Sequence, residues 1–568
     1  MFKNQPAGLY VLALANTGER FGYYTMLAIF LLYLQAKFGF DSTVSGQIYS
    51  IFLAMVYFMP LIGGWVADKW SFSKCVVSGM AIMFAGYAVM SIPTGIRSTS
   101  SLVILCAALL LISIGTGLFK GNLQVMVGDL YNDRRYSGQR DAAFSLFYMA
   151  INIGSMFAPM TATAMTNMAM KAKGLVYNAE LPGLCNQLLD GKIQPGILTE
   201  KAAACGMTVS GDASAWASDY ITVLSTGYGY AFAVACASLI VSFLIYFLGR
   251  KTYAHIISDK KSDKKEAAAT TGPELTPAQT KARVVALMLV FAVVIFFWMV
   301  FHQNGATLTE FAKSCTSPDA TGWTRIGFNV WALLSIAVGV YALFNLFQAK
   351  SSRGKCISVV ILGLVTWALW YFYSTTPDPV SGIQPQQYQQ FNPFYVVALT
   401  PVSLALFGWL AGRKKEPSAP RKIGYGMIMA AVAYGVMMLG SFSLAGTQGN
   451  VSPNWLISTY LLLTFAELLL SPMGISFVSK VAPPKLKGSM MGGWFAATAI
   501  GNYLVSIPML LWGKIPVYVL WIILIAICLL SAAFIFSVMK KLESATADSN
   551  GPEAELAAAE ETAAEAEA

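Results

Sequence analysis

The chain has 568 residues, of which 56% are hydrophobic and only 12% charged, and its mean hydropathy is +0.59. Soluble proteins carry charge on about a quarter of their residues, so this balance excludes a soluble enzyme and describes a polytopic membrane protein. The formal net charge of +10 is not a nucleic-acid signal, because the basic residues fall in alternate loops between apolar runs.

A membrane-crossing helix needs about twenty apolar residues. Fourteen such helices are predicted, near 8–36, 45–67, 74–95, 101–130, 142–168, 226–249, 282–312, 326–348, 355–376, 391–412, 422–444, 454–480, 487–512 and 515–539. The first apolar run has no cleavage site and reads as a retained helix rather than a signal peptide. Alternate loops hold Lys69 and Lys74, then Arg134, Arg135 and Arg140, then Arg250 and Lys251, then Lys350 and Arg353, then Arg413 to Lys415, then Lys480 and Lys485, then Lys540 and Lys541. With fourteen spans all of these lie on one side, which the positive-inside rule makes cytoplasmic. Both termini then lie in the cytoplasm, and the chain is a multi-pass protein of the cell (inner) membrane.

The organisation expected is an amino-terminal six-helix bundle over 1–250 with a long outside loop at 169–225, and a charged cytoplasmic linker at 251–281. A second six-helix bundle over 282–542 follows, with an inserted helix pair at 326–376, and then an acidic low-complexity tail at 543–568. Residues 377–390 form a second outside loop, rich in Pro and Gln. Of the eight cysteines, Cys75, Cys106, Cys236 and Cys528 lie in or beside apolar segments and read as small hydrophobes. Cys185, Cys205 and Cys315 fall in outside loops, and a Cys185–Cys205 disulfide stays open, contingent on an oxidising compartment.

Charge inside an apolar span costs a few kcal/mol or more unless it faces water or a partner. The first helix nevertheless places Asn16, Glu19, Arg20, Tyr23 and Leu27 on one face. Lys120 sits in a glycine-rich stretch of the fourth helix, too far from either end to snorkel. Glu467 lies deep in a later helix with only apolar neighbours, five residues before Pro472. Asn152 and Asn392 add uncharged polar groups. Two cations and an early and a late acid suit a zwitterion, with its carboxylate near Arg20 and Lys120 and its ammonium near Glu467. Tyr24, Tyr57, Trp298 and Trp494 are candidates to line the remainder. The competing reading is a structural ion pair in the first helix and ordinary interfacial aromatics.

The segment Asn16-Thr17-Gly18-Glu19-Arg20-Phe21-Gly22-Tyr23-Tyr24 resembles the first-helix motif E-x-x-E-R-F-x-Y-Y of the proton-dependent oligopeptide transporter family, a branch of the major facilitator superfamily. Phe147-Tyr148-Met149-Ala150-Ile151-Asn152-Ile153-Gly154-Ser155 matches that family's F-Y-x-x-I-N-x-G-S signature. Gly63-Gly64-Trp65-Val66-Ala67-Asp68 is similar to the superfamily's loop motif, and Asn392-Pro393, Glu467 to Pro472 and Gly492-Gly493-Trp494-Phe495 follow in family order. The resemblance implies an all-α integral membrane protein of the major facilitator fold, two six-helix bundles plus two extra helices, with the site between the bundles near the midplane. It implies that Arg20 and Lys120 meet a peptide's carboxyl end and that Asn152, Asn392 and Glu467 meet its amino end. Tyr23, Tyr24, Tyr57, Trp298 and Trp494 would shape the side-chain pockets.

Three departures stand out. Asn16 replaces the first glutamate and cannot titrate. Leu27 stands where a second arginine is common, and His302 stands before Gln303 where its acidic partner is expected. Losing both halves of an outer-gate pair together avoids a stranded charge, so that gate must close by other contacts. His302 is a candidate titrating gate; Glu19, Arg20, Lys120 and Glu467 are the other candidates for proton coupling or gating. The inserted pair should pack outside the two-bundle core.

The function expected is a secondary transporter importing di- and tripeptides by alternating access and proton symport, monomeric, without cofactor, metal or nucleic acid. Two alternatives stay open: a proton-independent facilitator or carrier of another small zwitterion or anion, and a peptide-sensing receptor without net transport. An enzyme is not expected, since no nucleophile–base pairing or phosphate loop occurs in the cytoplasmic segments.

Overall fold

The computed structural model describes residues 5–131, 135–136, 140–258, 276–349, 351–444, 446, 448–483 and 486–545. Most of the charged linker and nearly all of the acidic tail therefore lie outside the described residues. Among those described, two isolated β-bridges are the only extended pairing and helix is the rule. Thirteen helices are long and apolar enough to cross a membrane. The first helix, α1 (Ala7–Phe38), falls outside that set of thirteen, although it has 32 residues and packs against the fifth and sixth long helices.

The first half contains α1, α2 (Ser42–Lys69), α3 (Phe72–Ser91), α4 (Thr99–Asp129), α5 (Arg140–Ala172) and, after two short helices, α6 (Leu181–Leu189) and α7 (Pro195–Ala204), the long α8 (Ala213–Leu248). The second half opens with α9 (Pro277–Phe301) and the short α10 (Thr307–Ser314), and then α11 (Val330–Gln348) and α12 (Ser352–Thr375) form the inserted pair. The half is completed by α13 (Phe391–Gly412), α14 (Ala419–Ser441), α15 (Asn454–Val481), α16 (Lys487–Leu504), the short α17 (Ser506–Leu511) and α18 (Val517–Ser537). Each half has its own apolar core, the first built on residues such as Phe30, Phe52, Met83 and Phe232, the second on Phe297, Tyr434, Leu470 and Trp521. The halves meet where α2 packs on α16 and where α5 packs on α13. The end where the chain begins is the near end; the end where α1 finishes is the far end.

Helix contacts rest on small residues. At the α2–α4 crossing a Cβ on Gly63 would overlap the Gly117 carbonyl, and one on Gly117 would lie 2.5 Å from Met59 Cβ. Gly64, its neighbour, faces open space. Gly63→Val is expected to destabilise the protein by about 1–3 kcal/mol, as overpacking does, lowering its unfolding temperature in detergent. Gly64→Val should not; equal behaviour of the two variants would refute the contact.

The structure corrects several boundaries. The predicted outside loop at 169–225 carries α6 and α7, and the sixth span starts at Ala213 rather than near 226, because Asp212 caps it by accepting from Ala215 N at 3.0 Å. Its added turns bury Ala217, Tyr220, Ile221 and Leu224. Arg97 and Lys192 pair with Asp190 at the end of α6 and hold its carboxyl below the usual range. Cys185 and Cys205 lie on α6 and at the end of α7 as free thiols, not a disulfide. The seventh span begins earlier than expected, with Thr276 and Gln279 in a capping box. It also breaks: His302–Gly305 is a 3-10 turn, and Ala306, at φ −120° and ψ −101°, separates it from α10. A side chain at Gly305 would collide with Tyr49 Oη, so glycine permits this close approach. The span predicted at 326–348 starts at Val330, where Asn329 caps it, after a 3-10 stretch over Gly322–Phe328. The span at 487–512 is interrupted at Val505.

The inserted pair packs on the outside of the second half: α11 lies against α13 and touches α5, while α12 buries almost nothing but Ser358. Its base is clasped at the far end. Ala320 and Val380 exchange both backbone hydrogen bonds at 2.9 Å, and Arg325 donates to Asp378 at 2.6 Å and to the Tyr373 carbonyl at 2.8 Å.

Candidate functional site

The polar stripe of α1 faces inward. Glu19 is fully buried and Arg20 is 4% exposed; Arg20 Nη2 donates to Glu19 Oε1 at 2.6 Å and its Nε bonds the other carboxylate oxygen. The pair neutralises itself, which is how the helix tolerates two charges at this depth. Asn16 and Leu27, also on α1, are buried.

Lys120, on α4, reaches its ammonium over the face of Tyr57 at 3.9 Å, a cation–π contact. Among the described residues no carboxylate lies within 4.0 Å of it. Tyr57 continues into an aromatic cluster from the second half, with Trp298 at 6.5 Å and His302 at 5.8 Å between ring centroids. His302 stacks on Trp298 at 5.0 Å, is only 9% exposed, and stands in the 3-10 turn that breaks the seventh span. It thus lies beside the Lys120–Tyr57 pair rather than at a solvated helix end.

Glu467, on α15, is 8% exposed. It accepts from Tyr148 Oη on α5 at 2.9 Å and from Asn392 Nδ2 on α13 at 3.0 Å. Asn392 also donates to Thr464 Oγ1 at 3.0 Å. One carboxylate therefore joins both halves, and among the described residues no cation pairs with it. Tyr24 lies edge-on to Tyr23, with ring centroids 5.3 Å apart.

Asn152, Tyr23 and Trp494 are buried, and the Arg20 guanidinium lies over the Tyr23 ring at 4.8 Å. Asn152 donates to the Tyr148 carbonyl of its own helix at 2.9 Å. Tyr23 is 2% exposed, stacked on Phe52 in the core of the first half. Trp494 is 3% exposed, edge-on to Phe291 and pressed against Gly474. Tyr148 was not among the predicted site residues, although it lies in the fifth-helix motif four residues before Asn152, hence on the same face.

Contacts between the halves also close the far end. Gln389 donates to the Ala28 carbonyl and to Thr309 Oγ1, both at 3.2 Å; Gln384 donates to Asn167 Oδ1 at 2.7 Å, and Gln386 to Thr163 Oγ1 at 3.1 Å. Gln35 on α1 reaches Glu310 and Lys313 on α10. Cavities of about 400 and 370 Å³ lie at this end, neither lined by Lys120 or Glu467.

A chain with thirteen membrane-crossing helices, two cores, buried charges where they meet and one closed end is a membrane transporter of the two-bundle class. The model of the POT family matches residues 73–272 and 365–543, and the chain belongs to that family. The unmatched stretch between those segments holds α9, α10 and α11. Among curated relatives, the chain is 27% identical over 533 residues to the uncharacterized transporter YclF of Bacillus subtilis (strain 168), covering 91% of this chain and 90% of that one. It is 26% identical over 514 residues to dipeptide and tripeptide permease A of Serratia proteamaculans (strain 568), covering 87% and 81%. A crystal structure of the peptide transporter POT in complex with alafosfalin superposes with a TM-score of 0.65 at 20% identity, over 96% of both chains. At that identity the likeness speaks to the fold.

Proposed function

We propose that the chain imports di- and tripeptides by alternating access, taking the peptide carboxylate at Lys120 and Arg20 and its ammonium at Glu467, with Asn392 and Tyr148 positioning that acid. Tyr24, Tyr57 and Trp298 line the space between, and His302 replaces a carboxylate at its edge. The observation that carries this is Lys120, an ammonium without a carboxylate partner among the described residues, set apart from an acid that both halves hold. A ligand with one charge of each sign completes both. The names of the relatives, dipeptide and tripeptide permease among them, support peptides as that ligand.

On this reading the protein is a monomer of the inner membrane with cytoplasmic termini, closed toward the outside by the glutamine contacts, and protons drive it through Glu19, Glu467 and His302. Asn16 favours a second reading, a facilitator without proton coupling, since a buried amide cannot carry a proton. Uptake of labelled dialanine into proteoliposomes, with and without an inward proton gradient, separates the two. Accumulation only with the gradient is expected; equilibration regardless of gradient selects the facilitator, and no uptake rejects peptide transport. Asn16→Glu, which returns a titratable group to the stripe, is expected to steepen the dependence of uptake on the gradient. An unaltered dependence would mean that position 16 does not set the coupling.

A further inference from the structure

Glu310 on α10 is 1% exposed, and nothing in the transport site uses it. Its carboxylate accepts from the Nε2 amide of Gln35 on α1. The carbonyl oxygen of the same Gln35 accepts from Lys313 Nζ at 2.6 Å. Glu310 and Lys313 lie 3.7 Å apart, one turn from each other on α10. One neutral side chain thus answers an acid and a base together, which an amide can do because it carries both donor and acceptor. Just beside it, Gln389 ties the Ala28 carbonyl of α1 to Thr309 of α10. Gln35 and Lys313 also line the cavity of about 370 Å³ at the far end, together with Asp190, Lys192 and Tyr177.

The structure assigns to Gln35, Glu310 and Lys313 the role of the latch that holds the far end shut, and we propose that its asymmetry of charge is what lets it open. An ion pair shared between the halves strands a charge on each side when they part. Here both charges sit on one short helix and stay paired with each other after Gln35 withdraws. The first half gives up only amide hydrogen bonds, which water replaces. Glu310 and Lys313 are positioning residues: they touch no substrate and set the ratio of open to closed states. This inference rests on the alternating-access reading above.

Spin labels at exposed Gln47 and Asp319, on opposite halves at the far end, report that ratio by pulsed dipolar spectroscopy in nanodiscs, on a cysteine-free background. Gln35→Met keeps the length of the side chain and removes both bonds. It is expected to move the open-to-closed ratio toward open by on the order of ten-fold, the effect of losing charge-assisted hydrogen bonds. In proteoliposomes the same variant should show a lower KM for external dialanine, because the outward-competent fraction has grown, together with a lower maximal rate. Glu310→Gln should shift the ratio the same way. Wild-type distance distributions in both variants would overturn the latch. Failure of the wild type to carry peptide would instead overturn the transport reading, while the distances would still decide the latch.

Discussion

Glu467→Gln is expected to weaken dialanine uptake roughly 10–100-fold in KM, the effect of losing a charged hydrogen-bond acceptor for an ammonium. The substitution preserves volume, so the loss is one of charge rather than packing. It also turns an acceptor that receives from Tyr148 and Asn392 into a group with its own donors. One of those bonds must then be given up or rearranged, which disturbs the only acid joining α5, α13 and α15 among the described residues. Concentration-dependent uptake measures the effect. Unchanged affinity would mean that no ammonium binds there, and would favour a carrier for another anion. Acetylating the amino end of the peptide is the complementary check: the blocked peptide should lose affinity for the wild type and little more for the variant.

Lys120→Ala is expected to weaken binding by roughly ten-fold or more, because a peptide carboxylate loses its charge-assisted partner. Arg20 cannot compensate fully, since Glu19 already engages two of its nitrogens. The variant also removes the cation from the face of Tyr57. Dipeptide amides, which lack the carboxylate, separate the two effects. If Lys120 reads the carboxylate, wild type and variant should bind the amide alike. A variant that lost affinity for the amide to the same degree would show that Lys120 acts only by holding the Tyr57 cluster in place.

Much of the architecture was legible because a bilayer leaves few choices: apolar length marks spans, and basic loops alternate with them. The charges within the spans were legible for the same reason, since Glu19, Arg20, Lys120 and Glu467 have no cheap explanation inside an apolar run. What stayed hidden depended on contacts between distant segments. Tyr23 and Tyr24 are adjacent in the motif, yet a helix turns about 100° per residue, so Tyr23 is buried between Phe52 and the Arg20 guanidinium while Tyr24 is partly exposed. The Pro- and Gln-rich stretch at 377–390 reads from sequence only as an outside loop, and sequence gives no sign that Gln384, Gln386 and Gln390 are buried there, with side-chain NH2 groups that donate to the other half and to the Gly327 carbonyl. The break at His302–Gly305 follows from how closely Tyr49 approaches Gly305. The departures at Leu27 and His302 acquired a counterpart: Gln35 and Glu310 lie eight residues beyond them on the same two segments. Polar contact between these segments is therefore made nearer the far end.

The clasp at the foot of α11 and α12 makes the insertion a detachable cassette. Ala320 and Val380 face each other as a hydrogen-bonded antiparallel pair, whose Cα atoms in such pairing stand about 5.5 Å apart. A two-residue turn closes that gap. Replacing residues 321–379 by such a turn would keep the Ala320–Val380 pair, at the loss of the Gly327 carbonyl that meets the buried Gln390 amide and of Phe328 against Tyr388 and Phe391, and the faces it uncovers on α13 and α5 would meet lipid tails instead of helix. A shortened chain that still inserts and carries peptide would mark the pair as ancillary to the transport path, free to change or disappear without disturbing the machine beside it.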